Sequence, residues 1–164
     1  MKVAIITDQH IGYKKGSKLY HEYFQKFYEK VFFPTIDKEG ITTVLDLGDT
    51  FDNRKGVDLY SLDWAKKYYF DPLHLRGISM VSIIGNHTSY YKNTHEINTN
   101  NLLLREYPNI TVLSECTELN IGGLDILFIP WINFDNKVRT YEKIEKTKCK
   151  VAMGHLELNG FTAT

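Results

Sequence analysis

Four short stretches of this 164-residue chain gather residue types that bind cations and move protons. They are Asp8-Gln9-His10, Gly48-Asp49-Thr50-Phe51-Asp52-Asn53, Gly85-Asn86-His87 and Gly154-His155. Carboxylate, carboxamide and imidazole are oxygen and nitrogen donors of borderline hardness, a set that suits Mn²⁺, Fe²⁺ or Zn²⁺. Thiolate is missing from all four, which disfavours a structural zinc site. In three of the four, glycine stands directly before the polar residue, where it permits a sharp turn and a close approach of backbone to an ion. Taken singly, each stretch has a plainer explanation: Asp8 as a helix cap, His10 as a surface residue, Asn86 as turn chemistry. Together they do not, because turns do not call for histidine three times. His21, His74 and His95 follow no apolar run and read as helix-surface or internally satisfied side chains.

Each stretch comes directly after an apolar run. The runs cover residues 3–7, 42–47, 78–84 and 150–153, with two more at 110–113 and 124–129. Most are continuous rather than alternating, which predicts strands covered on both faces. Between them the period changes. Leu19, Tyr20, Tyr23, Phe24, Phe27, Tyr28, Val31 and Phe32 recur at three- and four-residue steps and predict one apolar helix stripe. Ser17 is its expected N-cap and Pro34 its expected stop. Further helices are expected over 58–69, 97–105 and 136–146. Asn120-Ile121-Gly122-Gly123, between two strand-like runs, predicts a hairpin. Alternating strands and helices predict an α/β domain. In open sheets of that class, ligands bind outside the carboxyl ends of the strands, where the four stretches fall.

The length suits a single domain with a full core. Twenty basic and 20 acidic residues cancel, so any nucleic-acid contact must come from local patches. Cys116 and Cys149 fall outside any CxxC pattern and read as reduced thiols. No apolar run nears the ~20 residues needed to span a bilayer, and the first residues lack a signal-peptide pattern. A cytoplasmic location, in a bacterial or phage-infected cell, is expected.

The ordered set DQH, GDTFDN, GNH and GH resembles the calcineurin-like metallophosphoesterases. Their pattern runs D-x-H, G-D-x-x-[DN], G-N-H-[DE], a separate His and then G-H-x-H. The likeness spans Asp8 to His155. It is closest to the SbcD-type recombination nucleases and their T-even phage counterpart, whose blocks GDTFDN and GHLELNG look like. The resemblance implies an α/β fold, a helix-flanked β-sheet sandwich, with a site for two divalent metal ions, typically Mn²⁺. By position, Asp8 and His10 would bind the first ion, Asp49 would bridge, and Asn86 and His155 would bind the second. His87 would be the general acid for the leaving alkoxide. Ions bridged about 3.5–4 Å apart activate water for attack at phosphorus, and a near-neutral imidazole adds roughly 10²–10⁴-fold. The resemblance further implies a DNA exonuclease and endonuclease of double-strand-break repair and recombination. Its partners would be DNA, a coiled-coil SMC-like ATPase and a second copy of the chain. The homodimer would form through helices after the second and third motifs, which carry Leu59, Leu62, Trp64, Tyr68, Ile97, Leu102, Leu103 and Leu104.

Two departures from the pattern stand out. Thr88 replaces the acid after G-N-H, so Asp52 is expected to take over the orientation of His87. No G-H-x-H occurs, and the GHLELNG block matches the element before it. Residues 1–164 are therefore expected to be the N-terminal part of a C-terminally truncated nuclease domain. One histidine ligand per ion would be absent, metal binding weakened and activity in question. Basic and aromatic residues flank the motifs, and Lys14, Lys15, Arg54, Tyr90, Tyr91 and Lys92 are the expected DNA contacts. Two other functions fit the same core: a metal-dependent phosphatase or small-molecule phosphodiesterase, and a non-catalytic DNA-binding or ATPase-docking module.

Overall fold

In the computed structural model, which describes residues 1–158 and Gly160, the apolar runs become two sheets. Strands β1 (Ala4–Ile6), β2 (Thr43–Asp46), β3 (Ser79–Ile83) and β4 (Ile110–Leu113) lie parallel, in sequence order. The second sheet holds β5 (Thr117–Ile121), β6 (Leu124–Ile129) and β7 (Val151–Gly154). Its middle strand, β6, runs antiparallel to β5 and parallel to β7. The β5–β6 connection is the expected hairpin. Gly122 and Gly123 both take positive φ there, and the Gly123 amide donates to Asn120 Oδ1.

Parallel crossovers are right-handed almost without exception, so a sheet that grows in one direction collects its helices on one face. After the short α1 (Tyr13–Gly16), a single turn with Lys14 and Lys15 in left-handed backbone, those helices are α2 (Lys18–Phe27) and α3 (Phe33–Glu39) before β2, α4 (Leu59–Ala65) and α5 (Asp71–Leu75) before β3, and α6 (Thr99–Leu103) before β4. A last helix, α7 (Lys137–Lys146), precedes β7. Side chains alternate along each strand. Val44 and Met80 enter a core with Tyr28, Phe33, Tyr69 and Phe70 on the helix side. Leu45, Val81, Ile83 and Leu113 enter a second core against Ile126 and Phe128 of the other sheet. The central strands are thus covered on both faces, which explains their unbroken apolar sequence.

Pro34 does not end the first long helix. The chain passes from α2 through one π-helical turn, Tyr28–Phe32, into α3, with Pro34 in its first turn. The π turn shifts the hydrogen-bond register, the Phe33 amide donating to the Tyr28 carbonyl, and the helix continues past a residue that has no N–H to give. A second π-helical turn, Lys66–Phe70, carries α4 into α5 past Pro72 in the same way. The expected stripe also divides. Tyr28 and Phe32 are buried, whereas Leu19, Tyr23 and Val31 stay exposed in the adjacent i, i+4 row. His21 is not a surface residue: it is buried against Tyr60 and Trp64.

One charge lies inside the helix-side face. Asp46 ends β2 with no solvent exposure. Its carboxylate accepts from Gln9 Nε2 at 2.9 Å, Thr50 Oγ1 at 3.0 Å and the Gly48 amide at 3.1 Å. The Tyr28 hydroxyl donates to Gln9 Oε1. Asn100 Nδ2 donates to Ser82 Oγ at 2.8 Å and Thr50 Oγ1 at 3.3 Å. Burial pushes the Asp46 carboxyl up to about 7 against the pull of its three donors. Folding then raises its proton affinity, so its contribution to stability is full at low pH and is lost as pH rises toward 7. Urea unfolding is expected to show wild type losing roughly 2 kcal/mol between pH 5 and 7 that Asp46→Asn does not lose. Superimposable pH profiles would exclude Asp46 as the source.

Candidate metal centre

The loops after β1 and β2 leave the sheet side by side. The amides of Asp8, His10 and Ile11 donate to the carbonyls of Gly48, Asp49 and Thr50 at 3.0, 2.9 and 2.9 Å. This short ladder sets Asp8 and His10 against Asp49. All three take left-handed backbone, with φ of 52°, 45° and 51°. Such a conformation costs a non-glycine residue roughly 1–2 kcal/mol. Its concentration at three polar residues on one edge points to a site.

Glycine provides the close approach that the third and fourth strand ends need. A β-carbon on Gly85 would stand 2.1 Å from Asp49 Oδ1, and one on Gly48 would stand 2.7 Å from His155 Nδ1. Asp49, 2% exposed at its side chain, therefore reaches the Gly85-Asn86-His87 turn, where its Oδ1 accepts from the His87 amide at 2.8 Å.

Ligand-capable atoms of Asp8, Asp49 and His155 lie within 4.8 Å of one another, as do those of His10, Asp49 and His87. Asp49 belongs to both groups. His155 Nδ1 is 2.9 Å from the Leu47 carbonyl oxygen, an acceptor, so Nδ1 carries the proton. Nε2 then faces Asn86 Oδ1 at 2.9 Å and Asp49 Oδ2 at 3.3 Å. A nitrogen lone pair aimed at two oxygens needs a second proton or a cation between them. His10 is arranged alike. Its Nδ1 lies 3.1 Å from Asp52 Oδ1, and its Nε2 faces Asp8 Oδ1 at 3.6 Å and Asp49 Oδ2 at 3.9 Å. An oxygen acceptor behind the far ring nitrogen is the usual support of a metal-binding histidine. The donor set therefore fits divalent ions. Burial by itself opposes ionisation of both Asp49 and His155. Their mutual attraction and hydrogen bonding outweigh it, lowering the Asp49 pKa and raising that of His155.

A model of the family described as calcineurin-like phosphoesterase matches residues 1–163. The chain belongs to that family. It is 33% identical over 161 residues to exonuclease subunit 1 of Enterobacteria phage T4, an alignment covering 98% of this chain and 47% of the phage protein. It thus spans about half the length of that relative. The crystal structure of a protein of unknown function from Aquifex aeolicus shares the fold, with a TM-score of 0.52 at 18% identity over 96% of this chain and 80% of the other. Members of this phosphoesterase family use divalent metal ions, in keeping with the donor set.

The residue expected to orient His87 does so through a different atom. The Asp52 backbone carbonyl, not its carboxylate, lies 2.7 Å from His87 Nδ1. The carboxylate goes to His10. Thr88, in place of the family's acid, is buried and closes the turn, its Oγ1 accepting from the Gly85 amide at 3.0 Å. Glu157, two residues past His155, accepts from Trp131 Nε1 at 3.1 Å and lines a separate cavity with Phe134 and Tyr141. The basic and aromatic residues divide among several clefts. Lys14 and Lys15 line one with Asp52 and Asn53, Arg54 and Tyr90 another with Ile97 and Leu102, and Lys92 the cavity of Trp131. Tyr91 packs edge-on against Tyr90. The Asp46 hub was not foreseen, although a charged residue inside the apolar run 42–47 is a readable signal.

Gly85→Ala is expected to displace Asp49 and weaken Mn²⁺ binding roughly tenfold or more in titration calorimetry. Unchanged affinity would show that the Asp49 carboxylate takes no part in binding the metal.

Proposed function

We propose that this chain carries the metal-binding face of a manganese-dependent DNA nuclease, both exonuclease and endonuclease. Its setting is double-strand-break repair and recombination in the cytoplasm. The observation that carries the reading is the convergence of Asp8, His10, Asp49 and Asn86, after strands of the first sheet, with His155, after β7 of the second, and with His87 beside them. The likeness to a phage exonuclease subunit supports DNA as the substrate. The phage relative is about twice as long as this chain, so the reading concerns the metal-binding portion that the two share.

Asp8 and His10 would hold one ion, Asn86 and His155 the other, and Asp49, which belongs to both donor clusters, would serve both. When bound, the two ions supply Lewis acidity for in-line displacement at a phosphodiester. The chain's own contribution is orientation. Leu47 and Asp52 fix the tautomers of His155 and His10, leaving each Nε2 for coordination. His87 is pinned through Nδ1 to the Asp52 carbonyl, so Nε2 is the atom that gives a proton to the departing 3′ oxygen. Lys14, Lys15, Arg54 and Lys92 contact phosphates, and Tyr90 and Tyr91 contact unpaired bases. Leu59, Ile97 and Leu102, all exposed, form a homodimer surface, while Trp64 and Leu104 of the same segments belong to the core. A coiled-coil SMC-like ATPase completes the complex.

Hydrolysis of bis-p-nitrophenyl phosphate with Mn²⁺, followed by turnover on DNA ends and on mononucleotides, tests this reading. Faster turnover on DNA is expected. Preference for mononucleotides would favour a phosphatase, and no hydrolysis by the full-length protein would leave a binding module. In that protein His87→Ser is expected to keep Mn²⁺ affinity and lose cleavage by roughly 10²-fold or more. A fall in affinity instead would make His87 a ligand. Lys14→Ala with Lys15→Ala is expected to weaken DNA binding and to reduce the salt slope by about 1–2. An unchanged slope would remove both from the DNA path.

A further inference from the structure

Beside the ligand cluster lies a cavity of about 320 Å³ that the functions above leave unused. Asp8, Gln9, His10, Asp52 and His87 line it together with three aromatic side chains, Tyr13, Tyr20 and Phe24. It is among the smaller ligand pockets, which run from roughly 300 to 1,000 Å³. One nucleoside-sized group suits it. The Tyr13 and Tyr20 rings meet at 72° with centroids 4.8 Å apart, which makes a right-angled aromatic corner. Both stay partly open, at 39% and 37% exposure. Lys14 Nζ lies 5.6 Å and 5.5 Å from their centroids, so a cation attends the corner.

We propose that Tyr13, Tyr20 and Phe24 form a stacking subsite for the nucleobase next to the scissile phosphate. This rests on the phosphodiesterase reading of the adjoining ligands. A phosphate on ions that Asp8, His10 and their neighbours would hold has one direction lined by aromatic rings, and the group attached there is a sugar bearing a base. His87 borders the same cavity, so the occupant is the nucleoside that owns the departing 3′ oxygen, on the 5′ side of the cleaved bond. Stacking on a side chain requires a base that has left its own stack. The subsite therefore favours single strands and frayed ends. Every base offers a π-face, so selectivity among bases is weak.

The test compares binding of 2′-deoxyadenosine 3′-monophosphate and of inorganic phosphate to the Mn²⁺-loaded protein by titration calorimetry and tyrosine fluorescence. A stacked base is expected to tighten binding roughly 5- to 100-fold over phosphate alone. Tyr20→Ala should bring that ratio close to one, and Tyr20→Phe should restore it. Equal affinities in wild type, or a ratio that survives Tyr20→Ala, would overturn the subsite. An oligonucleotide abasic on the 5′ side of the cleaved bond separates this proposal from the nuclease reading. If DNA is cleaved and the abasic change costs nothing, the subsite falls and the nuclease stands. If the ratio holds while DNA is not turned over, the nuclease falls and the subsite belongs to a small-molecule phosphodiesterase.

Discussion

Both donor-bearing loops lean on one carboxylate that never meets water. Asp46 binds Gln9, which sits between Asp8 and His10, and it binds the Gly48 amide and Thr50, which flank Asp49. Three residues of the donor cluster, on two separate segments, are thereby referred to a single acceptor. An isolated buried carboxylate would cost several kcal/mol, a cost that the three donors reduce without cancelling, since burial still raises its pKa to about 7. The same network runs into the helix layer through Tyr28 and into β3 through Asn100 and Ser82. Packing of the helices and geometry of the site are consequently not independent. Disturbing one reaches the other through Gln9 or Thr50.

Above that hub the structure accepts local strain for convergence. Asp8, His10 and Asp49 hold left-handed backbone that asparagine or glycine would adopt more easily. Gly48 and Gly85 leave out side chains that would collide with His155 and Asp49. The result is a group of oxygens and nitrogens facing one another at distances too short for unshielded acceptors. Such an arrangement is stable with a cation among them, or with His155 protonated against Asp49. Family membership and geometry agree here for the same electrostatic reason.

Much of this was legible beforehand. The strand–helix order, the hairpin at Asn120–Gly123 and the polar strand ends all rest on periodicity and on glycine placement, which are local. The misreadings arose where a local rule met a tertiary one. Pro34 ends helices in general, but a π-helical turn before it places it in a first turn instead. The stripe on α2 held two adjacent apolar rows, and only the sheet beneath decided that Tyr28 and Phe32 went inward while Leu19, Tyr23 and Val31 stayed out. His21 could be read as surface or internal, because nothing near it in sequence shows that Tyr60 and Trp64 enclose it.

Residue types and their order alone determined that donors suited to divalent cations follow successive apolar strands, which narrows the chemistry to a small class. For the first three stretches, spacing along the chain carries that information because a parallel sheet places its carboxyl ends on one edge, whereas His155 arrives from the second sheet. Tertiary structure alone decided which atom of each residue is used. It turned the Asp52 carbonyl to His87 and its carboxylate to His10, and it placed Tyr20 and Phe24 beside a cluster that begins with Asp8. Those outcomes depend on backbone angles and on neighbours up to 108 positions away, as between Leu47 and His155. A one-dimensional pattern holds no distances of that kind.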